Sequence, residues 1–380
     1  MSGAKHNSAA AIYWTAFVGL FFDYYDLYLF VYLERTLAAH FALSVAQSNW
    51  LQFTGLAGVG VGALVFGYWA DRFGRGPMML VVFGVYAVGI GGISLAWNYE
   101  SLLAFRLLAS LALGAEWGIC HTYLAERVSG ARRYRFSAFL QFSILGGLLA
   151  AMASRFALPL VGWRWLFAAS LVPVAILSIV RWKALTEEAA PRVAGKLRDL
   201  LGALRAHGGN FALCLGLASL TIASGTMNIF YARELPQSPL YTIIFWGNVA
   251  PGMLFGAWLV QRSGVARALT LYAVALVTLS LGCWWSDWDQ RSLAFAVVLP
   301  LLNGVPFGLM GAYFNEVFAD YRTMLSGTAY NLGRIFAGFS PVLITALALQ
   351  TDGRYFLFTA TLGLGVAALA WVVQRQARLA

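Results

Sequence analysis

Gly19-Leu-Phe-Phe-Asp23-Tyr-Tyr-Asp26-Leu-Tyr-Leu-Phe30 places two carboxylates inside an otherwise apolar run from Ile12 to Leu33. A run of that length crosses a bilayer as a helix. Asp23 and Asp26 are three residues apart, so on a helix they share a face about one turn from each other, with Tyr24, Tyr25 and Tyr28 around them. An acid near the middle of a spanning helix costs roughly 2.5–3.5 kcal/mol on insertion scales, so a pair belongs where it faces a cavity or a partner. Two such groups titrate together rather than independently, and a site of that kind can load and release a proton. The alternative is a buried pair hydrogen-bonded to neighbouring helices for packing specificity.

Working outward, the composition is that of a membrane protein. The 380 residues are 60% hydrophobic and only 11% charged, with a mean hydropathy of +0.71; a soluble chain carries about 25% charge. Lipid requires every backbone group to be satisfied within a helix or closed barrel, and the short alternating segments of a barrel are missing. The net charge of +10 forms no patch or tail that would suit nucleic acid, because most of the 26 Lys and Arg fall in the loops on the side of both termini. That is the positive-inside pattern, and it places both termini in the cytoplasm, in the manner of a bacterial inner-membrane protein. The first apolar run is too long, and too rich in acids and rings, for a cleaved signal peptide. Cys120, Cys214 and Cys283 lie far apart in predicted spans, which argues against a disulfide framework or a cysteine metal site.

Apolar runs of about twenty residues predict twelve spans, at 12–33, 49–69, 78–97, 101–125, 136–158, 163–183, 210–231, 240–261, 267–286, 292–314, 325–349 and 354–374. The polar stretch with Glu187, Glu188, Pro191, Arg192, Lys196, Arg198, Asp199 and Arg205 reads as a cytoplasmic linker. The organisation expected is thus an all-α membrane protein of two six-helix bundles, 1–183 and 210–380, joined by 184–209. The halves repeat at an offset of 190 residues: Arg72 maps on Arg262, Gly74 on Gly264, Gly114 on Gly304, Gly118 on Gly308, Glu126 on Glu316, Arg132 on Arg322 and Arg164 on Arg354. Parallel repeats of this kind put a substrate site near the membrane midplane and let the halves rock around it. Gly55, Gly58, Gly60 and Gly62 in the second span, with no P-loop lysine after them, read as close helix packing. Trp97, Trp163, Trp284, Trp285 and Trp288 near span ends read as interfacial anchors.

Between spans two and three, Gly67-Tyr-Trp-Ala-Asp71-Arg72-Phe-Gly74-Arg75-Gly-Pro resembles the signature loop of the major facilitator superfamily, Gly-x-x-x-Asp-Arg-x-Gly-Arg. Its second copy, Ala257 to Val265, keeps Arg262 and Gly264 but has Gln261 in place of the acid. The fourth span, Arg106 to Gly118, is similar to that of two branches of the superfamily, the metabolite:proton symporters and the aromatic acid and sialic acid:proton symporters. Those branches carry an acid-x-x-Asp pair in the first span, as Asp23 and Asp26 do here, and a Gly-Arg segment like Tyr330-Asn331-Leu-Gly333-Arg334. The first-span pair departs from them in beginning with Asp rather than Glu. The resemblance implies alternating access, with Gly67, Asp71, Arg72, Gly74, Arg75, Glu126, Arg132, Glu316 and Arg322 forming a cytoplasmic gate.

The intramembrane charges give the candidate chemistry. Arg106, which suits bidentate capture of a carboxylate, stands three turns before Trp117 on one helix face, with Glu116 and His121 nearby. If Arg106 pairs with Asp26, a substrate anion can compete for the arginine as the acid takes a proton, so that anion and proton enter together. Arg106 as a fixed ion pair with Glu116 or the first span is the alternative. His121 is open to a relay role or to packing. The second half has Ala296, Pro306 and Gly311 at the matching positions, but adds Arg334. The first half is therefore expected to handle the proton, through Asp23, Asp26, Glu116 and His121. Substrate contacts are expected from Arg106, Trp117 and Tyr25 there, and from Arg334 and Asn331 in the second half. Arg334 can also be read as a side chain reaching the cytoplasmic interface.

The function expected is secondary active transport, by a monomer without metal or cofactor, of a small organic anion with protons. Proton-coupled efflux of an amphipathic compound is the alternative in the same fold, although an exporter of cations has little use for two cavity arginines. A membrane-embedded enzyme with Glu116 and His121 as an acid–base pair is a further alternative, against which stands the lack of any nucleophile motif or metal-ligand cluster.

Overall fold

The computed structural model describes residues 9–130, 132–185, 199–225, 239–285, 293–318, 320–349 and 353–379. The helices are α1 (Ala9–His40), α2 (Val45–Phe73), α3 (Arg75–Leu95), α4 (Tyr99–Arg127), α5 (Arg132–Gln141), α6 (Gly146–Met152), α7 (Leu158–Ala169), α8 (Leu171–Leu185), α9 (Asp199–Ala206), α10 (Gly208–Ser224), α11 (Pro239–Ser263), α12 (Val265–Trp285), α13 (Leu293–Val317), α14 (Arg322–Gly338), α15 (Ser340–Ala346) and α16 (Arg354–Leu379). Among the described residues, eight segments are long and apolar enough to cross a membrane, one of them the 50-residue stretch Arg132–Arg181. Most of the polar stretch expected as a linker, including Glu187, Glu188, Pro191, Arg192, Lys196 and Arg198, lies outside the described residues, as do Trp288 and residues 226–231 of the seventh expected span.

Local chemistry sets the helix ends. Ser44 and Gln47 form a reciprocal capping box at the start of α2, the Gln47 N–H donating to Ser44 Oγ at 3.2 Å and the Ser44 N–H to Gln47 Oε1 at 2.9 Å. Asn98 and Ser101 do the same for α4. Between α2 and α3 the chain turns on Gly74 at φ 99°, and between α11 and α12 on Gly264 at φ 81°, a region that favours glycine.

The 190-residue repeat seen in the sequence reappears as geometry. α2 ends at Phe73 and α11 at Ser263; α3 spans Arg75–Leu95 and α12 Val265–Trp285; α4 ends at Arg127 and α13 at Val317. The packing repeats contact for contact. A Cβ on Gly62 would lie 1.9 Å from the Leu111 carbonyl oxygen, and one on Gly252 1.9 Å from that of Leu301. Gly114 meets the Val59 carbonyl at 1.9 Å in the same sense, and Gly304 that of Val249 at 2.2 Å. Both helix pairs thus approach backbone to backbone, as small residues allow in a bilayer.

The fifth expected span is not one regular helix. α5 gives way to a 3-10 turn at Phe142–Leu145, then α6, then a π turn at Ala153–Ala157. Gly146 lies where α6 presses on α1, its Cβ position 2.0 Å from the Phe21 carbonyl oxygen.

The chain divides into two compact units, one of Met1–Ser129, Phe142–Leu200 and Asp320–Thr328, the other of Gly130–Gln141, Leu201–Ala319 and Ala329–Ala380. The start of α14 belongs with the first unit and α5 with the second.

Candidate functional site

The first unit holds its charges at depth. Asp23, Asp26, Arg106, Glu116 and His121 are all buried, as is Arg181 from α8, within the sixth expected span. Asp26 is held by two hydroxyls: Tyr86 from α3 donates to Oδ2, and Ser170, between α7 and α8, donates to Oδ1 at 2.7 Å. Arg106 does not form the expected ion pair with Asp26. Its guanidinium lies over the Phe30 ring, 3.8 Å from the centroid, against Gly55 of α2, and its Nε is buried without a hydrogen-bond partner. Both Asp26 oxygens are already engaged by hydroxyls, while the ring offers the arginine a cation–π seat. The two charges still act on each other through space.

Glu116 is not Arg106's partner either. Its Oε1 accepts from Arg181 Nη2 at 2.6 Å, and Cys120 Sγ donates to the same oxygen at 3.3 Å. Arg181 was missed because it stands near the end of an apolar run, where a basic residue reads as a topology signal. One signal was present: an intramembrane glutamate requires a countercharge.

Tyr25 is buried, and its hydroxyl donates to the Leu166 carbonyl at 3.4 Å. Trp117, 1% exposed, packs on the His121 ring with centroids 4.4 Å apart. In the second unit Asn331 is fully buried and Arg334 half-buried; Arg334 Nη1 donates to Asn331 Oδ1 at 3.3 Å, with the Tyr330 ring 6.0 Å from its Cζ. Elsewhere in this unit Ser224 Oγ of α10 lies 2.8 Å from Tyr272 Oη of α12, both buried.

The loop cluster is built around Asp71, which is 1% exposed. Its Oδ1 accepts from Arg75 Nη2 at 2.7 Å and from the Thr323 N–H at 3.1 Å, and its Oδ2 from the Met324 N–H at 2.9 Å. Arg75 also pairs with Glu126 at 3.1 Å. Thr323 and Met324 open α14, and Tyr321, ahead of it at φ 48°, stacks on Tyr68 with ring centroids 6.4 Å apart. Asp71 therefore serves α14 as an N-terminal cap supplied from another helix. Gly67 makes this approach possible, since its Cβ position is 2.9 Å from Met324 Cα. Arg72 is exposed.

In the second unit Glu316 accepts from Tyr134 at 2.5 Å and from Arg133 at 3.2 Å. The neighbour expected there, Arg132, is exposed and makes neither contact; the turn of α5 presents the next two residues instead. Arg322 lies partly buried in the first turn of α14.

With this geometry in view, the sequence matches the profile of the Major Facilitator Superfamily over residues 16–321. The chain belongs to the major facilitator superfamily. Curated relatives of this superfamily member include the niacin transporter of Acinetobacter baylyi, 25% identical over 91% of this chain and 88% of the relative. The cis,cis-muconate transport protein of the same organism is 25% identical over 88% and 86%, and the sialic acid transporter of Escherichia coli 24% over 88% and 86%. Among solved structures, the proton:xylose symporter XylE shares the fold with a TM-score of 0.74 at 16% identity, covering 97% of this chain and 95% of that one. The human organic anion transporter MFSD10 does so at 0.70 and 18%, covering 96% and 100%. The protein is accordingly an all-α, multi-pass membrane transporter, and not the enzyme that a Glu116–His121 acid–base pair would have made.

Proposed function

We propose that this transporter carries a small organic acid anion into the cell together with protons, with Asp26 as the proton-loading group and Arg106 as the anion anchor of the first unit. The observation that carries the reading is the contrast between two neighbours. Asp26 is held directly by neutral hydroxyl donors only, so it can take a proton without breaking an ion-pair contact. Arg106 is buried on the Phe30 ring with no carboxylate in ion-pair contact among the described residues, so its edge suits a planar carboxylate. The charges interact through space, which gives the coupling: protonation of Asp26 strengthens the pull of Arg106 on an anion, and a bound anion favours the proton.

Relatives named for niacin, cis,cis-muconate and sialic acid support an organic acid as cargo, and a neighbour in structure named as a proton symporter supports proton coupling. Asp23, one turn from Asp26, shares in the titration. In the second unit Arg334, steadied by Asn331, is the anion-binding counterpart. The Asp71–Arg75–Glu126 cluster acts as the cytoplasmic gate, and the positive-inside pattern puts both termini in the cytoplasm.

Uptake into proteoliposomes of labelled nicotinate, cis,cis-muconate, gallate and sialic acid, with and without an inward proton gradient, tests the reading. Gradient-driven accumulation of at least one is expected, with Asp26→Asn losing accumulation but retaining exchange. Normal accumulation by Asp26→Asn would overturn it.

A further inference from the structure

Among the described residues, α1 and α4 carry three buried carboxylates in the first unit, and the geometry distinguishes them by partner. We infer that Glu116 does not carry a coupling proton but is the fixed counterion of Arg181, and that the pair is a positioning device locking α1, α4 and α8 around Asp26. The inference rests on the proposed proton coupling, which it narrows from several candidate carboxylates to the Asp26 site.

Arg181 is wholly enclosed, with 0% of its side chain exposed against 1% for Glu116. Three other helices hold it. Nη2 donates to Glu116 Oε1 of α4 at 2.6 Å and to the Thr15 carbonyl of α1 at 3.0 Å, and Cζ lies 4.0 Å from the Phe83 ring centroid of α3. Gly19 of α1 provides the seat: a Cβ there would stand 2.5 Å from Arg181 Nη2, 2.9 Å from Glu116 Oε1 and 3.0 Å from Phe83 Cζ. The nearby titratable groups are Asp23 from α1, Tyr86 from α3, and Cys120 and Tyr123 from α4. Glu116 is the carboxylate that meets Arg181 directly, at 2.6 Å.

An arginine does not surrender its charge inside a protein. If Glu116 took a proton, Arg181 would lose the carboxylate it touches in an apolar interior, which is strongly unfavourable, whereas removing both partners together is far less costly. Asp26, held by the Tyr86 and Ser170 hydroxyls, breaks no ion-pair contact when it takes a proton, and the charge this leaves on Arg106 is the one a substrate anion meets. A proton cycle at Glu116 would therefore work against the packing of α1, while one at Asp26 leaves it intact.

The test is a cycle of Glu116→Met, Arg181→Met and the double variant in the full-length protein, read by thermal unfolding in detergent and by pyranine-monitored proton entry into proteoliposomes on adding the carboxylates of the uptake panel. Each single variant should unfold at a lower temperature than the double. The double should keep carboxylate-driven proton entry within about twofold of wild type, with the same dependence on pH. A double variant as stable as wild type that exchanges substrate but moves no protons would overturn the inference, as would destabilisation by the two changes that simply adds.

A second measurement needs no double variant. In infrared difference spectra between acid and neutral pH, the protonated-carboxyl band should lose a component in Asp26→Asn and be unchanged in Glu116→Gln; an unchanged band in Asp26→Asn with a lost component in Glu116→Gln would also overturn the inference. If wild type moves no protons with any carboxylate, the proton-coupling reading itself fails, and the unfolding cycle alone still decides whether Glu116 and Arg181 act as a locked pair.

Discussion

A Cβ on Gly55 would stand 2.9 Å from both Nε and Nη2 of Arg106. The glycine therefore shapes the seat of a buried guanidinium, whereas Gly62 seven residues on serves helix packing, its Cβ position 1.9 Å from the Leu111 carbonyl. Substitutions at these two glycines should fail differently. Gly55→Ala displaces Arg106 and should raise KM for the transported anion by about tenfold or more, the loss of one charge-assisted hydrogen bond, with little change in unfolding temperature. Gly62→Ala forces α2 off α4 and should destabilise by about 1–3 kcal/mol. Kinetics and thermal unfolding measured on both variants check this split; equal unfolding temperatures would refute it.

Asp71 caps a helix far from it in sequence. Replacing it with alanine frees the Thr323 and Met324 N–H groups and removes one of Arg75's two carboxylates, Glu126 remaining at 3.1 Å. Asp71→Ala should cost about 1–2 kcal/mol in stability, the range for a lost cap, and increase hydrogen exchange at the start of α14 specifically. Exchange that rises equally throughout the molecule would argue against a local cap.

On the second unit, the contact pattern around Glu316 ranks three neighbours. Arg132→Ala should leave stability within about 0.5 kcal/mol, as expected for an exposed side chain. Arg133→Ala should cost no more than about 1 kcal/mol, since the Glu316 side chain is 36% exposed and the pair is screened by solvent. Tyr134→Phe, which removes a hydrogen bond to an ionised acceptor, should cost the most, about 1.5–3 kcal/mol. Urea unfolding of the three purified variants gives the order directly.

Arg334 and Asp26 should separate in kinetics. Arg334→Ala is expected to raise KM with accumulation still driven by the proton gradient, because the proton-loading group is untouched. Asp26→Asn is expected to keep exchange while losing the response to the gradient. If Arg334→Ala abolishes gradient coupling and leaves KM unchanged, the division of labour between the two is wrong.

Helix positions, the 190-residue repeat and the Gly67–Arg75 loop were legible in the sequence by itself, because apolar run length, capping residues and turn glycines are local properties of the chain. So was the presence of Asp23, Asp26, Arg106 and Glu116 at depth, since an ionisable residue in the middle of an apolar run stands out wherever its partner is, whereas Arg181 near the end of one does not. What only the tertiary structure decided is which charge meets which. Arg181 is 65 residues from Glu116, and its choice of partner depends on how α4 and α8 are rotated about their axes, which no local pattern encodes. Tertiary packing likewise gave Asp26 two hydroxyls in place of Arg106, gave Arg106 the Phe30 ring, and made Gly19 and Gly55 seats for guanidinium groups. The break in the fifth span at Phe142–Leu145 was hidden for a related reason: its sequence is as apolar as its neighbours, and α6 meets α1 at Gly146 only once the bundle is assembled.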